Sequence, residues 1–252
     1  MRDLNPEQRE AARHVDGPLL VLAGAGSGKT RVITRKIAYL IEQCGIKARN
    51  IAAVTFTNKA AREMKSRVSE LMASRDVSSR GLMVSTFHNL GLTILRKEYA
   101  HIGYRSGFSI FDAQDSLAVL RDLMGRDFAA DSEHAEKCQW QISEWKNQLI
   151  LPEQAMKIAE DEQQVAAAKV YVRYVEALKA YNGVDFDDLI LKPVLLFRDV
   201  PEALKRWQAR IHYLLVDEYQ DINGCQYELV KQLVGIREAL TVVGDDDQSV
   251  YS

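Results

Sequence analysis

Pro18-Leu19-Leu20-Val21-Leu22-Ala23 runs directly into Gly24-Ala25-Gly26-Ser27-Gly28-Lys29-Thr30, and a helix-compatible stretch from Arg31 to Ile41 follows. The apolar run reads as a buried strand, so the order is strand, glycine loop, helix. Gly24, Gly26 and Gly28 free the loop from Cβ restraints and let successive backbone N–H groups turn inwards, where the helix N-terminus adds partial positive charge. A concave surface of this kind holds phosphates. Lys29 supplies a mobile charge for β and γ phosphates, and the Thr30 hydroxyl suits Mg²⁺. Ala23 stands where the usual pattern has glycine. A purely structural glycine turn is the alternative, and the strand and helix on either side weigh against it.

Working outward, four more apolar runs end near small or polar residues: Ile51 to Phe56, Leu82 to Thr86, Ile211 to Asp217 and Leu240 to Gly244. The first three strands of the set are separated by segments long enough for crossover helices, which predicts an α/β fold with a parallel sheet. Between Thr86 and Ile211 no clear strand is visible, while Ala113 to Met124, His134 to Leu149 and Val165 to Tyr181 carry helical periodicity. A structureless loop of that length is implausible in a compact protein, so the stretch reads as an inserted helical subdomain. A helical cover over the sheet is the other reading.

The fourth strand leads into Asp217-Glu218-Tyr219-Gln220-Asp221, placing two acids at the carboxyl edge where open α/β sheets bind ligands. Asp217 is placed to approach a metal held by Thr30, and Glu218 to polarise an attacking water, so the implied chemistry is hydrolysis. An isolated Asp-Glu pair would more simply be a solvated turn. The fifth strand ends at Gly244-Asp245-Asp246-Asp247-Gln248-Ser249-Val250-Tyr251. The Gln248 amide is suited to contact a γ phosphate or orient water. Three adjacent acids either form a surface turn or need a cation beside them to tolerate a phosphate.

Composition narrows the class. The chain has 252 residues, 47% hydrophobic and 27% charged, as expected of a globular protein of one large or two modest domains. A net charge of −2 offers no bulk attraction to nucleic acid, so any such contact must be local. No apolar run nears the ~20 residues that span a bilayer, and Met1 to Asn5 opens with charge, which predicts a cytoplasmic protein with no membrane partner. Cys44, Cys138 and Cys225 lack the close spacing of zinc or redox motifs and read as ordinary thiols.

Together these segments resemble superfamily 1A DNA helicases of the UvrD/Rep type. The likeness covers essentially the whole chain: Leu4-Asn5-Pro6-Glu7-Gln8, Ala23 to Thr30, Thr55 to Met64, Ser85-Thr86-Phe87-His88, Asp185-Phe186-Asp187-Asp188-Leu189, Asp217 to Asp221 and Gly244 to Tyr251. Several motifs in order are far more specific than one glycine loop. The resemblance implies a RecA-like P-loop NTPase sheet with an inserted all-helical subdomain, using ATP and Mg²⁺. It makes 1–88 the first part of the ATP-binding lobe, 89–184 the insertion and 185–252 the lobe's second part. Gln8 becomes the adenine-reading residue, since a side-chain amide pairs with the N6 and N7 edge. Ala23 is the usual residue at its position in this family. The nucleotide is then held by Gln8, Ala23, Gly24, Ala25, Gly26, Ser27, Gly28, Lys29, Thr30 and Arg31. Catalysis falls to Lys29, Asp217, Glu218 and Gln248, and the metal to Thr30 and Asp217.

The same resemblance assigns Phe56, Thr57, Asn58, Thr86, His88, Phe186 and Tyr251 to single-stranded DNA. Bases of an unpaired strand stack on aromatic rings at roughly 1 to 3 kcal/mol each, while hydroxyl, amide and imidazole groups hold the backbone. Core packing is the competing role for Phe56, Phe186 and Tyr251, and a structural histidine for His88. Ile222 stands where the family often has threonine, a lost hydroxyl that bears on coupling between ATP and DNA sites. Val250 replaces the commoner isoleucine, a conservative change.

The family pattern continues beyond Ser252 into a second lobe that supplies arginines to the transferring phosphate, so the chain is expected to bind nucleotide and hydrolyse it feebly alone. The expected activity of the whole motor is 3′ to 5′ translocation on single-stranded DNA with unwinding at single-strand/duplex junctions, alongside replication or repair proteins. A P-loop kinase or GTPase, and a non-catalytic fragment binding DNA or a partner, are the competing functions.

Overall fold

The computed structural model describes residues 3–24, 26–125 and 132–245, which divide into two compact units. Among the described residues, 3–90, 201–222 and 230–245 form the first, and 91–200 with 223–229 the second.

Along the chain the first unit contributes α1 (Pro6–Arg13), β1 (Leu19–Leu22), α2 (Lys29–Glu42), β2 (Ile51–Thr55), α3 (Asn58–Ala73) and β3 (Met83–Thr86). The division falls inside α4 (Phe87–Glu98), after Leu90. The second unit holds β4 (Ser109–Phe111), α5 (Ala113–Met124), α6 (Ser132–Asn147), α7 (Pro152–Ile158), α8 (Glu162–Ala180), β5 (Gly183–Asp185) and α9 (Asp188–Asp199). The chain returns to the first unit with α10 (Pro201–Arg210) and β6 (Tyr213–Val216), then runs through α11 (Gly224–Val234) to β7 (Leu240–Gly244).

All five strands predicted from apolar runs form, in one parallel sheet of order β1-β7-β6-β2-β3. Leu22 pairs with Gly244, Val216 with Val54 and Thr55 with Thr86, so the carboxyl ends of neighbouring strands finish together along one edge. The core lies where α2 and α3 cover the sheet: Ile33, Ile37, Leu40, Ile51, Met64, Val68, Leu215 and Val243 are buried together. Strand β1 departs from the fully buried reading. It lies at the sheet's margin, and Leu20 and Leu22 are 53% and 55% exposed while Val21 packs on the core.

In the second unit, α5, α6 and α8 enclose Leu120, Ile142, Trp145, Tyr171 and Tyr174. Helices alone were expected here, and a short parallel ladder of β4 with β5 joins them. Three-residue strands are too short to leave a period-2 signal. The unit also takes in 185–200, placed by the sequence reading in the lobe that carries the glycine loop. The physical tie is ionic. Lys146 of α6, 1% exposed, sits 2.6 Å from Asp185 and 2.9 Å from Asp188, and Tyr174 donates to Asp185 at 3.0 Å. Gly91 is required by packing, because a Cβ there would stand 1.8 Å from the Leu189 carbonyl oxygen.

Candidate nucleotide site

Three strand ends build the site. Downstream of β1, Ala23 N–H still donates to Gly244 O at 3.0 Å, so the loop leaves the sheet only after β7 has been bridged. Gly26 and Gly28 have φ of 74° and 87°, the left-handed region that favours glycine, and Gly28 caps α2. Ser27 N–H turns back to Gly24 O at 3.2 Å. Lys29 and Thr30 are the first two residues of α2 and are half-buried, while Arg31 is exposed. Ala25 lies outside the described residues.

From the other side, α1 brings Gln8 onto the loop. The Gln8 N–H donates to Asn5 Oδ1 at 2.7 Å, Asn5 N–H donates to Gln8 Oε1 at 3.1 Å, and Gln8 Nε2 donates to Ser27 O at 2.7 Å. This capping box fixes the glutamine amide against the loop. A Cβ at position 28 would meet Nε2 at 3.0 Å, so the absence of a side chain at Gly28 also admits Gln8.

The acids arrive from β6 and β7. Asp217, 4% exposed, is pushed up to about 6 by burial and by the neighbouring Glu218 carboxylate. Glu218 adopts φ 54°, a left-handed conformation costly for a side-chain-bearing residue and often seen at functional turns. Its Oε2 stands 3.8 Å from Lys29 Nζ and accepts from Gln220 Nε2 at 2.9 Å. Asp245, 2% exposed, accepts from Lys29 Nζ at 3.1 Å, and its own N–H donates to Gln220 Oε1 at 3.0 Å. Gln220 therefore joins the ends of β6 and β7. Neither Gln220 nor the Lys29–Asp245 pair was singled out from sequence. The only signal was the requirement that acids after β7 have a cation beside them.

Glu218 and Asp245 flank the Lys29 ammonium, Asp217 and Asp221 feel its charge, and Asp221 Oδ1 is buried with no hydrogen-bond partner. Hard oxygen donors in negative excess fit Mg²⁺, which Asp217 and the Thr30 hydroxyl would hold. No group of three or more His, Cys, Asp or Glu residues converges as a metal cage among the described residues, so the phosphates would supply the remaining ligands. Gln248 and Tyr251 lie outside the described residues.

A second row of candidates lines the ends of β2 and β3. Thr57 caps α3 by accepting from Ala60 N–H at 3.1 Å, and exposed Asn58 accepts from Asn89 Nδ2 at 2.9 Å. Thr86 is 5% exposed and accepts from Asn89 N–H at 3.3 Å, so its hydroxyl already serves the start of α4. Burial pushes the half-buried His88 down, favouring a neutral imidazole. Phe56 is half-buried and packs edge-on against Phe87 at 5.7 Å. Phe186 belongs to the other unit and is 56% exposed.

A parallel sheet with a glycine loop after β1 and an Asp-Glu pair after β6 defines a RecA-like P-loop domain. Residues 4–252 match the UvrD/REP helicase N-terminal domain, and the chain belongs to that family. It is 56% identical over 249 residues to the ATP-dependent DNA helicase Rep of Escherichia coli, covering 99% of this chain and 37% of that protein. With the same-named protein of Buchnera aphidicola subsp. Acyrthosiphon pisum the identity is 44%, over 99% of this chain and 38% of the relative. The ATP-dependent DNA helicase PcrA of Staphylococcus epidermidis is also 44% identical, over 100% of this chain and 34% of its own length. The chain thus spans little more than a third of these relatives. Among the described residues no helix is long and apolar enough to cross a membrane.

Proposed function

We propose that the chain is the ATP-binding motor lobe of a DNA helicase that moves 3′ to 5′ on single-stranded DNA and opens duplex at junctions. Support comes from one observation above the rest: Lys29, at the start of α2, meets carboxylates from the ends of β6 and β7. A triphosphate entering the glycine loop takes Lys29 from Asp245, and Asp217 with Thr30 holds the accompanying Mg²⁺. Magnesium held there would supply neutralising charge to the transferring phosphate. Glu218, with its carboxylate 39% exposed, takes the proton of the attacking water. Gln248 reports the γ phosphate. Gln8 reads adenine, and Phe56, Thr57, Asn58, Thr86, His88, Phe186 and Tyr251 contact the strand. The family and the relatives' names support DNA as the track; a cytoplasmic setting and replication or repair proteins as associates belong to the same proposal.

The test is titration of the chain with a non-hydrolysable ATP analogue and Mg²⁺, with and without single-stranded DNA. Saturable nucleotide binding that changes DNA affinity is the expected result. Binding of neither ligand would overturn the proposal.

A further inference from the structure

A buried lysine closes the end of α1. Lys36, two turns beyond Lys29 on α2, is 0% exposed, and its Nζ donates to Ala11 O at 2.9 Å and to His14 O. Ala11 belongs to the last turn of α1 and His14 caps it, where carbonyls lack intrahelical partners and the helix end favours a cation. The Tyr213 ring lies 5.6 Å from the same ammonium. Burial pushes Lys36 down to about 8, with Cys44 acting in the opposite direction. An apolar side chain would spare this desolvation and leave the carbonyls unsatisfied.

An eight-residue helix has little stability of its own, so the position of α1 depends on its anchors. Arg35 binds Asp3 at 2.7 Å ahead of the helix, and Lys36 holds its far end. Between them, Gln8 rests on Ser27 O at 2.7 Å. Its amide keeps one Nε2 hydrogen and one Oε1 lone pair unused by these bonds, the pair complementary to adenine N7 and N6.

We propose that Lys36 is a positioning residue for base selection: by tying the carboxyl end of α1 to α2 it sets where the Gln8 amide stands over the glycine loop, without touching the nucleotide. The inference rests on the nucleotide-site reading above. Adenine and guanine differ in donor and acceptor at C6, so a displaced amide loses discrimination while the phosphate grip stays.

The experiment measures binding of ATP, GTP and inorganic tripolyphosphate, each with Mg²⁺, to the chain and to Lys36→Met and Lys36→Arg. Lys36→Met is expected to lose about tenfold in preference for ATP over GTP, the scale of one misplaced hydrogen-bonding contact, with tripolyphosphate affinity unchanged. Lys36→Arg, which keeps a charged donor, retains most of the preference. Unaltered preference in Lys36→Met, or no preference in the unmodified chain, would overturn the proposal. Should Lys36→Met fail to fold, Lys36→Gln decides: a partial loss of preference supports it, and an equal fall for ATP and tripolyphosphate sinks it. Failure of the unmodified chain to bind tripolyphosphate refutes the nucleotide-site reading itself, and this inference with it.

Discussion

The ammonium of Lys29 and the carboxylate of Asp245 lie 3.1 Å apart, joining residues 216 positions distant in the chain, one at the start of α2 and the other directly after β7. On the proposed reading, Asp245 yields this ammonium to a phosphate oxygen when nucleotide binds. Removing Lys29 leaves a carboxylate that is 2% exposed without this cation. Lys29→Ala is therefore expected to weaken nucleotide binding and to lower stability by roughly 3 kcal/mol, the cost of breaking a buried pair from one side. Adding Asp245→Asn restores stability and leaves nucleotide binding weak. Urea denaturation with nucleotide titration separates the two effects, and recovery of both together would contradict the assignment.

Glu218 is expected to serve the water and not the grip. In a chain extended with the second lobe of a relative, Glu218→Gln should lower turnover by about a hundredfold or more, as loss of a general base does, with nucleotide affinity nearly unchanged. Single-turnover hydrolysis and equilibrium binding measure the two quantities. Because the backbone at 218 is left-handed, Glu218→Gly should raise stability by about 1 kcal/mol while abolishing turnover.

Asp187 gives a pH-dependent stability whose sign follows from its environment. Burial, reinforced by Asp185, pushes its carboxyl up to about 6. The folded chain then holds a proton that the unfolded chain has released, so this group's stability is fully present below 3.8 and lost as pH rises through about 6. Asp187→Asn should stabilise the chain above pH ~7 by of order 1 to 2 kcal/mol and do nothing near pH 3.5. Thermal melts across that range test it; a gain independent of pH would contradict the cause given.

Lys146 carries the opposite lesson. Asp185 and Asp188 raise it well above its ordinary range despite burial, which by itself lowers it. Lys146→Met leaves two buried carboxylates facing each other and is expected to cost about 3 to 5 kcal/mol. Tyr174→Phe removes the hydroxyl that bonds Asp185 and also interacts with Ser116, and should cost about 1 to 2 kcal/mol. Equal costs in urea melts would show that the network is not organised around the lysine.

The aromatics divide by exposure. Phe186→Ala should weaken single-stranded DNA binding by about 1 to 3 kcal/mol, one base stack, with little effect on stability. Phe56→Ala, losing its edge contact with Phe87, should lower both. Fluorescence anisotropy and thermal melts make the comparison.

Much of this was legible in residue order. Ile51 to Thr55 and Tyr213 to Val216 announce strands because buried parallel strands are nearly continuous apolar runs. Gly24 to Thr30 announces its loop because few other patterns free so many backbone N–H groups before a helix. Ser109–Phe111 and Gly183–Asp185 left no signal, since three residues cannot display a period. Lys36 and Lys146 were invisible too: lysine is ordinarily exposed, and only assembled partners identify a buried one.

By itself, then, the order of residues determined the five strands of the sheet, the phosphate-type loop and the acids to be placed near it, because each depends on neighbours within a few positions. Tertiary structure decided that Asp245 faces Lys29, that Gln220 ties β6 to β7, that Lys36 holds α1, and that Asp185 and Asp188 share Lys146. Those are contacts between groups far apart in the chain, and their energies come from burial that exists only once the sheet and helices have closed around them.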